Sequence, residues 1–338
     1  MATPVTAPTQ RQVILVAPEV TQGTQVLTGM FSIPVDNFQP EPNPTWLDVK
    51  SLYGDMAEIH GRTQGPIHES FSFSGPMFPD AVGYFLKNIL GDQTESGASA
   101  PFTHAFSLLN SGTGQPTTLT IVHQNLLSPT TGQRYYPGAA LSELTLKGNA
   151  DSEFVTVEGK GMCWPSAAVP TTAVAPSFTA VTPIPFWKFA VGLGGIASGG
   201  SQTKKVREWS MTITRALRVE NTAQNSQNPF IIQRGMVGMA GSITFTVPSD
   251  ETELNYLLNN TQPQFQLLGT QGASATLTSL QVDHQLCAFD TEKLKLDEEA
   301  IGYDATYVAI ANTTNAGASG GYSPGKITIQ NAVALATY

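Results

Sequence analysis

Side-chain chemistry in this chain would have to begin with His60, His68, His104, His123 and His284, and none stands at metal-ligand spacing from another. There is no His-Glu-x-x-His helix motif, no Cys-x-x-Cys and no Asp-rich calcium loop. His60 and His68 flank Gly61 and Gly65 and read as a surface turn. Cys163 and Cys287 lie in different halves, which points to two buried thiols rather than a disulfide or a zinc site. Gly192-Leu193-Gly194-Gly195-Ile196-Ala197 spells the G-x-G-x-x-A of dinucleotide sites. Those glycines serve only when a helix follows to present its N-terminus to a pyrophosphate. Here Ser198-Gly199-Gly200-Ser201-Gln202 follows, so a Gly-rich hairpin tip is expected. Ser201 and Lys204 have the S-x-x-K spacing without a helix to carry it. Trp46, Trp164, Trp187 and Trp209 sit in or beside apolar runs and read as core. The sequence therefore offers no catalytic constellation, no metal site and no cofactor site.

What remains is architecture. The chain has 338 residues, only 13% of them charged, with 31 Gly and 23 Pro. Low charge, many turn residues and short apolar runs predict a mainly β protein. A net charge of −9 argues against a groove that grips phosphates. No basic n-region followed by an apolar stretch opens the sequence, and no apolar run approaches membrane-spanning length. Synthesis in a reducing cytoplasm is expected.

Residues 1–29 read as an extended arm holding one strand, Val13 to Val16. Strands follow at Trp46–Tyr53, His68–Ser74, Thr103–Leu109, Thr117–Val122, Ser142–Lys147 and Phe154–Glu158, several alternating with period two. One helix interrupts them: Pro79 and Asp80 stand at its start, Val82, Phe85, Leu86, Ile89 and Leu90 make its stripe, and Gly91 ends it. Residues 165–186 are uncharged and Pro-rich, an extended linker lying against protein. Two long alternating strands then appear, Ser210–Val219 and Val237–Val247, with Arg215 the exception on the apolar side. A second helix carries Leu254, Leu257 and Leu258 behind Ser249 or Asp250.

The two halves repeat one order of elements: strand, helix, two strands, strand pair. Ser142-Glu143-Leu144-Thr145-Leu146-Lys147 is echoed by Glu292-Lys293-Leu294-Lys295-Leu296-Asp297. This predicts a duplicated unit, residues 30–164 and 187–338, each of β-sandwich or half-barrel type with one short helix.

Gly65-Pro66 leading into Glu69-Ser70-Phe71-Ser72-Phe73, the run Pro79 to Leu86, His104 to Asn110, Tyr136-Pro137-Gly138 and Ser323 to Val333 together resemble the tail tube (major tail) proteins of long-tailed bacteriophages, duplicated two-domain type. The resemblance spans about Trp46 to Val333. It implies a structural protein of the virion tail, made in the host bacterial cytoplasm. It further implies homotrimeric, pseudo-hexameric rings whose sheets join into a stacked tube for genome ejection. Implied partners are other copies of the chain, a tape-measure protein and double-stranded DNA in the lumen, and tail tip, baseplate and terminator proteins; no membrane and no cofactor are implied. The alternative is another viral structural protein of sandwich fold, for capsid decoration or coat. Since DNA must slide without sticking, neutral strand faces are expected to line the bore: Ser72, Ser74, Thr212, Thr214, Ser242, Thr244 and Thr246. The arm, the linker and the Gly192–Gln202 loop are expected to contact neighbouring subunits or rings.

Overall fold

The computed structural model describes residues 9–128, 130–151, 154–168, 174–179, 181–199, 201–246, 252–295 and 302–338. The first half holds β1 (Gln12–Pro18), β2 (Phe31–Ile33), β3 (Asn37–Val49), β4 (Gly61–Pro76), α1 (Val82–Leu90), β5 (Gly91–Ser96), β6 (Phe102–Leu108), β7 (Leu119–Asn125), β8 (Gln133–Asn149) and β9 (Thr156–Cys163). The middle adds β10 (Ala167–Ala168), β11 (Phe189–Leu193) and β12 (Gln202–Thr203). The second half holds β13 (Val206–Glu220), β14 (Ile231–Thr246), α2 (Thr252–Leu258), β15 (Phe265–Gln271), β16 (Thr278–His284), β17 (Cys287–Lys295), β18 (Gly302–Ala309) and β19 (Lys326–Asn331). Among the described residues all pairing is antiparallel, and the strands form a 12-stranded and a 7-stranded sheet with no closed barrel.

The two sheets share one core. Phe71, Phe73, Leu144, Leu146, Met211, Ile213, Ile243 and Phe245 come from the larger sheet, and Phe106, Phe265, Leu267, Leu280, Ile327 and Ile329 from the smaller. Period-two alternation makes this possible, since each of these residues alternates with a more polar one that points the other way. α1 fills the gap between layers, with the Phe85 ring stacked on Phe73 at 4.3 Å. Gly91 ends it at φ 94°, a conformation that favours glycine.

The larger sheet contains the same four-strand order twice. β3-β4-β9-β8 is followed, edge to edge, by β13-β14-β18-β17, and a helix follows the second strand of each set. The joint between them is β8 on β13, in register from Glu208↔Asn149 to Thr214↔Glu143. The smaller sheet also crosses the halves, because β19 lies between β16 and β6.

Several expectations change. Gln12–Pro18 is an interior strand between β7 and β2, with Ile14 and Val16 in the main core and Val13, Leu15 and Ala17 in a satellite cluster. α1 begins at Val82, not at Pro79. Asp80 is buried there and accepts from Thr179 Oγ1 instead of capping the helix. Gly61 and Gly65 belong to β4, so a strand and not a turn joins the two histidines, and the chain turns before them, over residues 50–60. The first long strand starts at Asn37 and runs through Pro40, Pro42 and Pro44. Trp209 is core, but Trp46 and Trp187 are exposed. Ser249, Asp250 and Asp297 to Glu299 lie outside the described residues.

Arg215 stays on the apolar side and is buried. Its guanidinium donates to the carbonyls of Ile89 (2.7 Å), Gly114 (2.8 Å) and Gly235 (3.1 Å), so each of its three nitrogens has a carbonyl acceptor. Burial depresses its pKa to about 10.

Candidate functional site

The feature of this molecule that could meet a partner on a large scale is the outer face of the larger sheet. Because successive side chains on a strand alternate sides, burying Phe71 and Phe73 turns Ser72 and Ser74 outward, and burying Met211 and Ile213 does the same for Thr212 and Thr214. Ile243 and Phe245 likewise turn Ser242, Thr244 and Thr246 away from the core. All seven residues picked out from the sequence therefore share one face of one continuous sheet.

The register shows how they stand relative to one another. Ser74 lies across from Glu158, which lies across from Thr145, which lies across from Thr212. Ser72, Lys160, Glu143 and Thr214 form the next row in the same way. Ser242 pairs with Ser210, and Thr244 lies opposite Asp304. Hydroxyls and charges knit the rows: Thr145 and Thr212 hydroxyls are 2.9 Å apart, Ser210 and Ser242 are 2.8 Å apart, and Thr244 donates to Asp304 at 2.8 Å.

Charged residues that sequence reasoning did not single out complete the face. Lys160 Nζ contacts Glu143 at 2.8 Å, and Lys147 pairs with Glu158. The hydrogen bond that Lys160 donates to Glu143 raises the Lys160 pKa. Glu208 accepts from Asn149 Nδ2 at 3.0 Å. These pairs sit in ordinary alternating runs, Glu143-Leu144-Thr145-Leu146-Lys147 and Glu158-Gly159-Lys160, so period two was the signal that could have found them. The result is a hydroxyl-rich surface on which Lys147 and Lys160 each pair with a carboxylate, which weakens the pull of those two charges on a polyanion.

No group of three or more metal-binding side chains occurs among the described residues. The histidines stand apart by role. His284 is fully buried, its Nδ1 3.2 Å from the Pro324 carbonyl, and burial lowers its pKa to about 4. His104 Nδ1 lies 2.9 Å from Glu95, and the His60 ring stacks on Tyr53 at 4.1 Å. Both cysteines are free and buried, which pushes their pKa values up. Gly192 pairs with Gln202 across the β11–β12 hairpin, and none of the described residues between them is helical, so they present no helix N-terminus to a phosphate. No helix among the described residues is long and apolar enough to cross a membrane.

Two further surfaces stand out. Gln227, between β13 and β14, bonds β4 at Ile67, Gly65 and Gln64, and from there on the β3–β4 hairpin has exposed apolar side chains: Trp46, Leu47, Leu52, Tyr53, Met56 and Ile59. Among the described residues, each end of the eight-strand run also has an unpaired edge, β3 at one side and β17 at the other. A family model described as phage tail tube protein matches residues 9–332. No curated protein matches the chain.

Proposed function

The chain belongs to the phage tail tube protein family and is a structural protein of the virion tail that self-assembles into the tube, and from this we propose that it does so as rings of three chains, each contributing two equivalent sheet units. The observation that carries this reading is the repeated order β3-β4-β9-β8 and β13-β14-β18-β17 within one sheet. Its inner joint, β8 on β13, has an outer counterpart, because β17 occupies the place of β8 and β3 the place of β13. Setting β17 of one copy against β3 of the next repeats the geometry, and three copies close it with approximate sixfold symmetry. Closure removes both open edges, which otherwise invite uncontrolled pairing. It also makes a heterologous contact that ends in a ring. The duplicated units are residues 30–164 and 187–338, linked through 165–186.

The hydroxyl face carrying Ser72, Ser74, Thr212, Thr214, Ser242, Thr244 and Thr246 then lines the lumen, where the tape-measure protein and double-stranded DNA pass without specific binding. Tail tip, baseplate and terminator proteins meet the ends of the stack. Ring-to-ring contacts fall to the end of the β3–β4 hairpin, since a two-stranded ribbon with exposed apolar side chains is marginal in water until something covers it. The Gly192–Gln202 loop is a second contact.

Electron microscopy of tubes grown from the purified chain tests the reading. Three chains per ring with the hydroxyl face inward are expected. Six chains per ring, or that face on the tube exterior, would refute it.

A further inference from the structure

The outer edge of β3 is chemically unlike the inner edge it would imitate. In an antiparallel ladder, backbone groups of alternate residues point to opposite edges. Proline has no N–H and so takes ladder positions that exchange no hydrogen bonds. Pro40, Pro42 and Pro44 stand opposite Phe71, Glu69 and Ile67 of β4. Gln39, Glu41 and Asn43 must therefore bond β4, and the prolines face away from it. From Pro40 to Pro44 the free edge thus shows carbonyls and no N–H.

Register locates the equivalent residues at the inner joint. Phe71, which faces Pro40, corresponds to Ile243, which faces Trp209. Pro42 and Pro44 correspond in the same way to Met211 and Ile213. Those residues of β13 keep their N–H groups and lie opposite Gly148, Leu146 and Leu144 of β8. The three donors of the inner joint are thus the three that proline removes at the outer one.

The opposite edge remains competent. Alternation carried across β4, β9, β8, β13, β14 and β18 turns the backbone of Glu292 and Leu294 outward on β17. Leu294 corresponds to Leu144, yet Leu144 is fully buried against β13 and Leu294 is 50% exposed. That difference is what an uncovered copy of the same joint would show.

We propose that Pro40, Pro42 and Pro44 make the chain-to-chain joint a one-way ladder. β17 of one copy donates to the carbonyls of β3 on the next and receives no bond back, with Leu294 seated opposite Pro44. The joint is weaker than its internal counterpart, and this holds free chains apart until ring contacts act together. The inference rests on the three-chain ring.

Sedimentation velocity over a concentration series tests it on the full chain, using wild type, P42T, P40T/P42T/P44T and the triple variant with L294D added. Restored donors are expected to lower the concentration for self-association about tenfold in the triple variant, with P42T intermediate. L294D is expected to return the triple variant to wild-type behaviour. A triple variant that melts like wild type and associates no more readily overturns the proposal. So does association that L294D leaves intact, because β17 would then not be the occupant. If circular dichroism shows the triple variant unfolded, P42T decides alone, and unchanged association overturns the proposal. Ring symmetry in wild-type tubes is read separately: rings of six would defeat the ring reading, whereas rings of three with unresponsive prolines would defeat only this inference.

Discussion

Replacing Asn88 tests how the helix fixes the strand that carries the inner joint. Asn88 is 1% exposed on α1. Its Nδ2 donates to Thr117 O and Ala139 O, both at 3.0 Å, and its Oδ1 accepts from Leu141 N at 2.8 Å. Ala139 and Leu141 straddle the point where β8 leaves β7 and joins β9. N88A leaves a buried N–H unpaired, at about 1–3 kcal/mol, and two carbonyls short of a donor, at about 1 kcal/mol together. Alanine's better helix propensity returns about 0.5 kcal/mol. The net loss is about 2.5 kcal/mol. For 338 residues the unfolding entropy is about 0.7 kcal/mol/K, so Tm should fall by about 4 °C. N88D should be worse at pH 8, because it aims a carboxylate at two carbonyl oxygens. Its folded pKa then lies above the unfolded value, so its stability is greatest in acid and is lost as pH rises. Calorimetry of the unassembled chain at pH 5 and pH 8 reads both effects. A Tm within about 1 °C of wild type for N88A, or an N88D milder than N88A at pH 8, would refute the reasoning.

Three further outcomes are expected. T212K/T214K/T244K should assemble into normal tubes yet slow genome delivery in infection assays, through salt-sensitive phosphate attraction; delivery at the wild-type rate would remove the hydroxyl face from the lumen. Both carboxylate oxygens of Glu292 are buried without a partner among the described residues, and burial, with Glu253 nearby, raises its pKa to about 7. A raised folded pKa gives stability that is complete in acid and lost as pH climbs through 7, so E292Q should flatten the fall in Tm between pH 5.5 and 8, and parallel curves would contradict this. L52D/M56D should leave the monomer's Tm unchanged, since Leu52 and Met56 are fully exposed, but shorten tubes in electron micrographs; tubes of normal length would clear the hairpin of a stacking role.

Much of the local structure was legible in the sequence. The alternation Phe71-Ser72-Phe73-Ser74 and the stripe Val82, Phe85, Leu86, Ile89 specify which side of each element is dry, because burial follows residue spacing directly. Gly91 marked the helix end, and the Gly-rich run at 192–202 was recognisable as a hairpin because nothing after it favours a helix. The hydroxyl face was legible for the same reason, and so was the tail tube resemblance, which rests on the order of such elements.

Other features depended on tertiary neighbours. Arg215 looked like a break in a pattern until the carbonyls of Ile89, Gly114 and Gly235 converged on it from three separate segments. β3 was obscured because alternating prolines argue against a strand unless one of its sides is free of pairing, and the sequence does not say which strand is at an edge. The arm resolved into an interior strand only because β7 and β2 flank it. Side-chain periodicity is a property of a few consecutive residues, and it fixes faces. Which strand lies beside which is decided by backbone groups that are nearly identical at every residue, so joints and open edges emerge only when the whole chain has packed.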